Sequence, residues 1–285
     1  MRKNHALPLV SIVVLNYRNP PLTARCVETA LTSALEAKTS VEVIVVDNSA
    51  PQTASALHRL LPAEAKIIEN AQNQGFAKAS NQGIKTSKGQ FVLLLNNDCF
   101  INPGCLDMGL RYLEDHANAG VWAPRLTDET GQPQVSCSRT HSLKGLASEY
   151  LLRRASDRYQ DVFEWTQPTE VESVIGAFFL LPRRTLDRIG LLDEDYFFNV
   201  EDVDYCRRAA KAGLSVIYDP RASAVHLSRA SQEEVHFVRD AHLHRNRVLY
   251  VRKHRGKASA YVASAIIALG LAARRAKLCL KSAFQ

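Results

Sequence analysis

Val41-Glu-Val-Ile-Val-Val-Asp-Asn-Ser49 decides the architecture of this chain. The run is short, rich in valine, and closed by a carboxylate and an amide. Three other segments are built alike: Leu9–Leu15, Ala65–Ile68 and Phe91–Leu95. Runs this apolar, without polar alternation, suit strands buried on both faces. Helical patterns lie between them. Pro20 and Pro21 suit a first helical turn after Asn19 as cap. Cys26, Val27, Ala30, Leu31 and Ala34 then share one face. A shorter helix is expected over Ser80–Thr86. Strands alternating with helices predict an α/β fold, with a mostly parallel central sheet and helices on both faces. Ligands of such sheets sit at the carboxyl ends of the strands. Asn16-Tyr17, Asp47-Asn48, Asn70 and Asn96-Asn97-Asp98 therefore fall on one rim.

The second half is less regular. Residues 127–170 are polar, with a short helix expected near Leu143–Arg154. Val171–Leu181 reads as one buried strand, with Gly176 at a close approach. Arg183–Ile189 and Glu201–Ala212 read as helices stopped by Gly190 and Gly213. Leu214–Tyr218 reads as the last strand, leading to His226.

With 285 residues, 46% hydrophobic and 23% charged, the chain can bury a large α/β core. The six cysteines form no Cys-x-x-Cys pair and no zinc-type Cys/His spacing, which suits a reducing compartment. The apolar run from Leu9 is too short for a signal-peptide core with its cleavage site. The net charge of +7 is uneven: residues 236–285 hold eleven Lys/Arg against one acid, leaving 25 against 28 for the rest. Basicity confined to the tail points to an anionic surface rather than to nucleic acid, and the tail offers few aromatics on which bases could stack. Within it, Ala258–Ala273 has no charge and is flanked by basic residues. That pattern fits an interfacial helix on anionic membrane, or a terminal helix packed on its own domain.

Acidic groups carry the chemistry. Gly190-Leu-Leu-Asp-Glu-Asp-Tyr-Phe-Phe-Asn-Val-Glu-Asp-Val-Asp-Tyr-Cys-Arg-Arg208 sets six carboxylates among apolar side chains. Ionised carboxylates are costly there unless something uses or neutralises them. Glu201 or Asp202 could act as general base, or simply as helix N-terminal acids. Consecutive helical residues point about 100° apart, so only one of the two can face a given hydroxyl. Asp47 could accept a hydrogen bond from a ring N–H of a base, or cap the next helix. Asp98, beside two amides, could hold a divalent cation that already carries diphosphate oxygens, or belong to an ordinary turn. His226 could join such a cation, its imidazole suiting manganese better than magnesium, or be structural. No Gly-x-Gly-x-x-Gly follows the first strand, which disfavours a dinucleotide-dependent oxidoreductase.

Taken in order, these motifs resemble glycosyltransferase family 2. The matching residues are Ser11-Ile-Val-Val-Leu-Asn-Tyr17, Val43-Ile-Val-Val-Asp-Asn-Ser49, Asn73-Gln-Gly-Phe-Ala-Lys-Ala-Ser-Asn-Gln-Gly83 and Leu93-Leu-Leu-Asn-Asn-Asp98. Gly176-Ala-Phe178, Gly190-Leu-Leu-Asp193, Glu201-Asp-Val-Asp204 and His226 come next. The match spans about residues 8–255 and looks closest to the rhamnosyltransferase-like branch.

The resemblance implies a GT-A fold over residues 1–235, with a donor half to about 126 and an acceptor half beyond, followed by the helical tail 236–285. It implies an inverting transfer from a UDP- or dTDP-linked sugar to a glycan or polyprenyl-linked acceptor, assisted by Mg²⁺ or Mn²⁺. Asp47 would read the donor base, with Tyr17 near its ring. Asn48, Asn73, Gly75, Asn81 and Asn97 would complete the donor pocket. Asp98 and His226 would bind the metal. Asp202 would be the base, with Glu201 beside it. Asn96 stands where the first Asp of the family's Asp-x-Asp motif often sits. The Gln-x-x-Arg-Trp motif of processive synthases is missing, which implies single addition. The implied location is cytoplasmic, peripheral at the inner face of the cell membrane. The competing class is a catalytically silent nucleotide-sugar or glycan-binding module anchored by its basic tail.

Overall fold

A computed structural model describes residues 9–49, 51–154, 158–160, 162–228 and 236–283. Its centre is a nine-stranded sheet. Strands β1 (Val10–Asn16), β2 (Val41–Asp47), β3 (Lys66–Glu69) and β4 (Phe91–Asn96) run parallel in the order β3-β2-β1-β4. Asn16 pairs with Asp47 and Leu15 with Asn96. The polar residues that close these runs therefore line one rim, as the sequence predicts.

Beyond β4 the sheet continues through β10 (Phe178–Pro182), β6 (Ala119–Thr127) and β11 (Ser215–His226) to the edge strand β5 (Cys99–Ile101), with β8 (Thr169–Glu170) on β11. β10 is antiparallel to β4, so its first residues lie at the rim where β4 ends. A separate ribbon joins β7 (Cys137–Ser138) to β9 (Ser173–Val174).

Alternation inside the apolar strands fills both faces. Val10, Ile12 and Val14 pack with Cys26, Val27 and Ala30 of α1 (Pro20–Glu36) and with α4 (Cys105–Asp115). Asn19 caps α1, its side chain accepting from the Leu22 N–H at 3.2 Å. On the other face, Val13, Ile44 and Val46 pack with α3 (Phe76–Thr86), and Phe179 with α7 (Glu201–Lys211); α6 (Arg183–Ile189) also lies on this face. Gly190 and Gly213, at φ 80° and 74°, end α6 and follow α7 as expected.

Four of the expected elements have other bounds than the sequence reading gives, and β5, α4 and β6 lie outside that reading altogether. α3 starts at Phe76, four residues earlier than expected, because a bend at Gly75 (φ 80°) frees the chain to enter the helix there. The helix after residue 142 is α5 (Leu143–Tyr150), shorter than expected. The expected single strand over Val171–Leu181 is two, β9 and β10, broken at Gly176-Ala177. The last strand runs on to His226, since a register shift between Asp219 and Ser223 absorbs Pro220 and lets pairing resume.

The tail forms α8 (His236–Arg255) and α9 (Lys257–Ala283), joined at Gly256. Tyr250, Val251, Ala263 and Ile267 close a third core with Leu146, Tyr150, Tyr196 and Val200. The tail packs on the rest of the chain, α8 and α9 against each other and α9 against α5.

Candidate active site

Asp98 and His226 come together first. Asp98 follows β4; β5 then returns antiparallel to β11, pairing Cys99 with His226. The Leu227 N–H donates to the Asp98 carbonyl at 3.0 Å. This places His226 Nε2 at 3.4 Å from Asp98 Oδ1, both side chains buried. His226 Nδ1 lies 3.3 Å from Gln134 Oε1 and 3.1 Å from Ser228 Oγ. An Nδ1–H given to Gln134 leaves the Nε2 lone pair facing a carboxylate oxygen. Two lone-pair atoms so close require a proton or a cation between them, so the pair fits a divalent metal. Among the described residues no cluster of three or more His, Cys, Asp or Glu forms around a metal position.

Asp202 is held by the break in the expected strand. The Gly176 N–H leaves the ladder and donates to Asp202 Oδ2 at 3.0 Å, while the Val203 N–H donates to Oδ1 at 2.7 Å. Burial raises the Asp202 carboxyl above its ordinary range; these two N–H groups and Arg158 oppose that rise. Burial raises Glu201 further, well above its ordinary value, with Asp202 adding to the shift. Glu201 Oε2 is buried without a hydrogen-bond partner. Burial therefore raises both carboxyls, Glu201 the more strongly, and the two backbone N–H groups favour the charged form of Asp202. Gly176 leads directly into β10, and the Ala177 carbonyl accepts from the Asn96 N–H at 3.0 Å. Asp202 is thereby tied to the strand end that carries Asp98.

The residues expected on the donor side form a connected loop system. Asn48 Nδ2 donates to Asn73 Oδ1 at 2.7 Å and its Oδ1 accepts from the Gln74 N–H at 2.9 Å; Asn73 Oδ1 also accepts from the Gly75 N–H at 2.8 Å. Asn97 donates to Thr23 Oγ1. Tyr17 is half-buried at the end of β1, the Arg18 guanidinium 5.2 Å from its ring centre.

Two residues sit differently from the expectation that they face a ligand. Asp47 is 0% exposed, and its Oδ1 accepts from Asn16, Ser49 and Thr53. Oδ2, bonded to the Thr53 hydroxyl alone, is its less committed oxygen. Asn81 is also buried, bonding Leu192 through both amide groups and Glu194 through Nδ2. It links α3 to the Gly190–Asp193 loop from behind the rim, because α3 turns its side chain toward that loop.

Sequence reading missed how the tail builds the site. Phe197–Val200 precedes Glu201, and both Asn199 (φ 68°) and Val200 (φ 78°) are left-handed. A β-branched residue pays about 1–2 kcal/mol there. Asn246 on α8 holds this turn, donating to the Phe198 and Asn199 carbonyls at 2.9 and 3.0 Å. The Phe197 carbonyl accepts from the Phe76 N–H at 2.7 Å. A Cβ on Gly75 would stand 2.4 Å from that same oxygen. One turn thus touches the donor loop, the tail and the helix of Glu201-Asp202. His254 Nε2 lies 2.8 Å from Asp204, which also pairs with Arg208 at 2.7 Å. Lys253 bridges Asp193 and Asp195. The signal was available: Asn246, Tyr250 and Lys253 recur at helical spacing on one face. The charge count alone hid it. Asn246→Asp removes the donor and sets a carboxylate against two carbonyls. It should cost about 1–3 kcal/mol in denaturant unfolding and lower kcat more than it raises the donor KM. An unchanged midpoint and kcat would refute the bracing role.

The glycosyl transferase family 2 model matches residues 11–190, more than half of the chain. The chain belongs to that family. It is 26% identical over 211 residues to an N-acetylglucosaminyl-diphospho-decaprenol L-rhamnosyltransferase of Mycobacterium tuberculosis, covering 68% of each. It is 25% identical over 190 residues to a low-salt glycan biosynthesis hexosyltransferase of Haloferax volcanii. That alignment covers 65% of this chain and 58% of the Haloferax protein, so less than two thirds of that relative is represented. A mannosyltransferase from Pyrobaculum calidifontis, solved with GDP-Man and Mn²⁺, superposes with a TM-score of 0.57 at 20% identity, over 98% of this chain and 81% of that one. This likeness establishes the GT-A fold.

Proposed function

We propose that this chain is an inverting glycosyltransferase that moves a sugar from a nucleotide-diphospho-sugar to a glycan or lipid-linked glycan acceptor. The observation that carries the reading is the Asp98–His226 pair, 3.4 Å apart, at the same rim as the loop that holds Asp202. Asp98 and His226 would hold Mg²⁺ or Mn²⁺, which would supply neutralisation of the departing diphosphate. Asp202 removes the acceptor proton as its oxygen bonds to the anomeric carbon and the bond from that carbon to the diphosphate breaks. A single displacement of this kind inverts the carbon.

Tyr17, Asn48, Asn73, Gly75 and Asn97 shape the donor side. Asp47 contributes through its Oδ2, or by ordering the turn from Asn48 to Thr53. Asn81 acts by joining the two halves. The Mycobacterium relative's name supports a diphospho-polyprenol acceptor and a rhamnosyl donor; the Pyrobaculum complex supports Mn²⁺. Incubation with UDP-, dTDP- and GDP-sugars, Mn²⁺ and lipid-linked acceptors should release nucleoside diphosphate and extend the acceptor. Donor binding without turnover across the whole panel would instead indicate a silent binding module.

Contact with anionic membrane belongs to the same proposal. Tyr261, Val262 and Leu269 of α9 are exposed at 78%, 48% and 63%. The window Lys257–Arg275 has mean hydropathy 1.2 and is 22% buried. Because the inner face of α9 packs on α5 and α8, the test uses Tyr261→Glu with Leu269→Glu rather than truncation. The pair should abolish flotation with anionic liposomes, and equal flotation would remove the idea.

A further inference from the structure

Three basic side chains lie in the region where α5 meets α8, and the reaction outlined above leaves them unused; Arg158 is the one whose charge acts on Asp202. His141 lies just before α5, Arg158 follows α5, and Arg247 is on α8. Arg247 is 0% exposed. Its Nη1 donates to Glu149 Oε1 at 2.9 Å and to the Tyr150 hydroxyl. Its Nε and Nη2 have no acceptor, nor does Arg158 Nε, and His141 Nε2 has no partner. Buried polar groups in native proteins are almost always satisfied, and orphaned donors on a guanidinium are among the costliest exceptions.

The three groups share one environment. Burial pushes the His141 imidazole well below its ordinary pKa, and Arg247 and Arg158 push it further. Burial also lowers Arg158, as does Arg247; Glu149 and Asp202 work the other way. Glu149 supplies one hydrogen-bonded carboxylate for two guanidiniums. The missing partner is therefore an anion with several acceptor oxygens, and a phosphate matches the planar guanidinium fork.

We propose that His141, Arg158 and Arg247 bind the phosphate or diphosphate that links the acceptor sugar to its carrier, so that the sugar hydroxyl is presented to Asp202. The assignment rests on the glycosyltransferase reading. The acceptor is favoured over the donor's own diphosphate because every member comes from the acceptor half or from α8, and none from the strands that carry Asp98. The surroundings agree. Arg274 of α9 donates to the Glu149 carbonyl at 3.2 Å and lies over the Tyr150 ring. The cluster is thus continuous with the helix whose outer face is apolar. Arg139 sends its side chain to Glu172 at 3.6 Å, and its backbone N–H holds the Arg158 carbonyl at 2.7 Å.

The test is calorimetric titration of the full chain with inorganic pyrophosphate and with farnesyl diphosphate, in EDTA so that Asp98 and His226 hold no metal. Wild type should bind both, farnesyl diphosphate more tightly if the anion belongs to a lipid carrier and equally if it does not. Arg158→Gln and, separately, His141→Asn should each weaken binding by at least about tenfold, with Mn²⁺-dependent nucleotide affinity within about twofold of wild type. Three results overturn the assignment: no anion binding by wild type, no weakening in either variant, or an equal loss of nucleotide affinity, which would return the cluster to the donor. Failure of the glycosyltransferase reading would register separately, as no Mn²⁺-dependent nucleotide binding by wild type.

Discussion

Asp202→Asn should lower kcat by about 10²–10⁴-fold, the range for losing a positioned general base, with the donor KM little changed. The side chain is fixed by the Gly176 and Val203 N–H groups, so the variant keeps its place and loses chiefly its basicity. Stability should stay within about 1 kcal/mol of wild type. One backbone N–H loses its acceptor, while the desolvation that raises this carboxyl no longer opposes folding. Because the folded-state pKa is raised, the acid limb of kcat should lie above the usual aspartate range. The linkage has the matching sign. The protonated Glu201-Asp202 pair favours the fold below the ordinary carboxyl range, and that contribution is lost as pH rises through the raised values. Glu201→Gln should keep most of kcat and flatten this decline. Measured pH profiles of kcat and of the unfolding midpoint decide both points; full activity in Asp202→Asn would end the base assignment.

Asp98→Asn should lower kcat/KM by at least about 100-fold, since residues one shell further out already cost about 10–100-fold at metal sites. The amide keeps the shape and removes the charge facing His226 Nε2. Nucleotide affinity in Mn²⁺ should fall toward the value in EDTA, while affinity in EDTA stays unchanged. His226→Gln should act in the same direction, more strongly with Mn²⁺ than with Mg²⁺, because imidazole suits the former. Titration of nucleoside diphosphate with each metal reads these differences. A variant that binds nucleotide equally well with and without Asp98 would move the metal elsewhere.

Much of the parallel half of the sheet was legible because its information is local. Val41–Asp47 and Phe91–Asn96 declare strands by composition, and parallel pairing brings their polar ends to one rim. The family motifs picked out Asp98, Asp202 and His226 in that frame. Other features depended on contacts between distant segments. Val171–Leu181 looks continuous, yet it breaks at Gly176 because the Asp202 carboxylate, 26 residues on, takes the backbone N–H. The basic tail, by charge alone, reads as a surface for lipid. Arg247 and Lys253 instead pair with Glu149, Asp193 and Asp195 of the same chain, and Asn246 holds a turn 47 residues before it.

By itself, then, the amino-acid order determined the layered α/β class, the rim on which the polar strand ends gather and the residue types that stand there. Those come from periodicity and from the polar residues that close each apolar run, over spans of a few residues. Tertiary structure decided how strongly burial raises each of two adjacent carboxyls, why Asp47 and Asn81 are occupied by their own chain, and that α8 holds the turn before Glu201. Burial, unpaired donors and left-handed turns arise only when remote segments pack, and no short-range pattern encodes them.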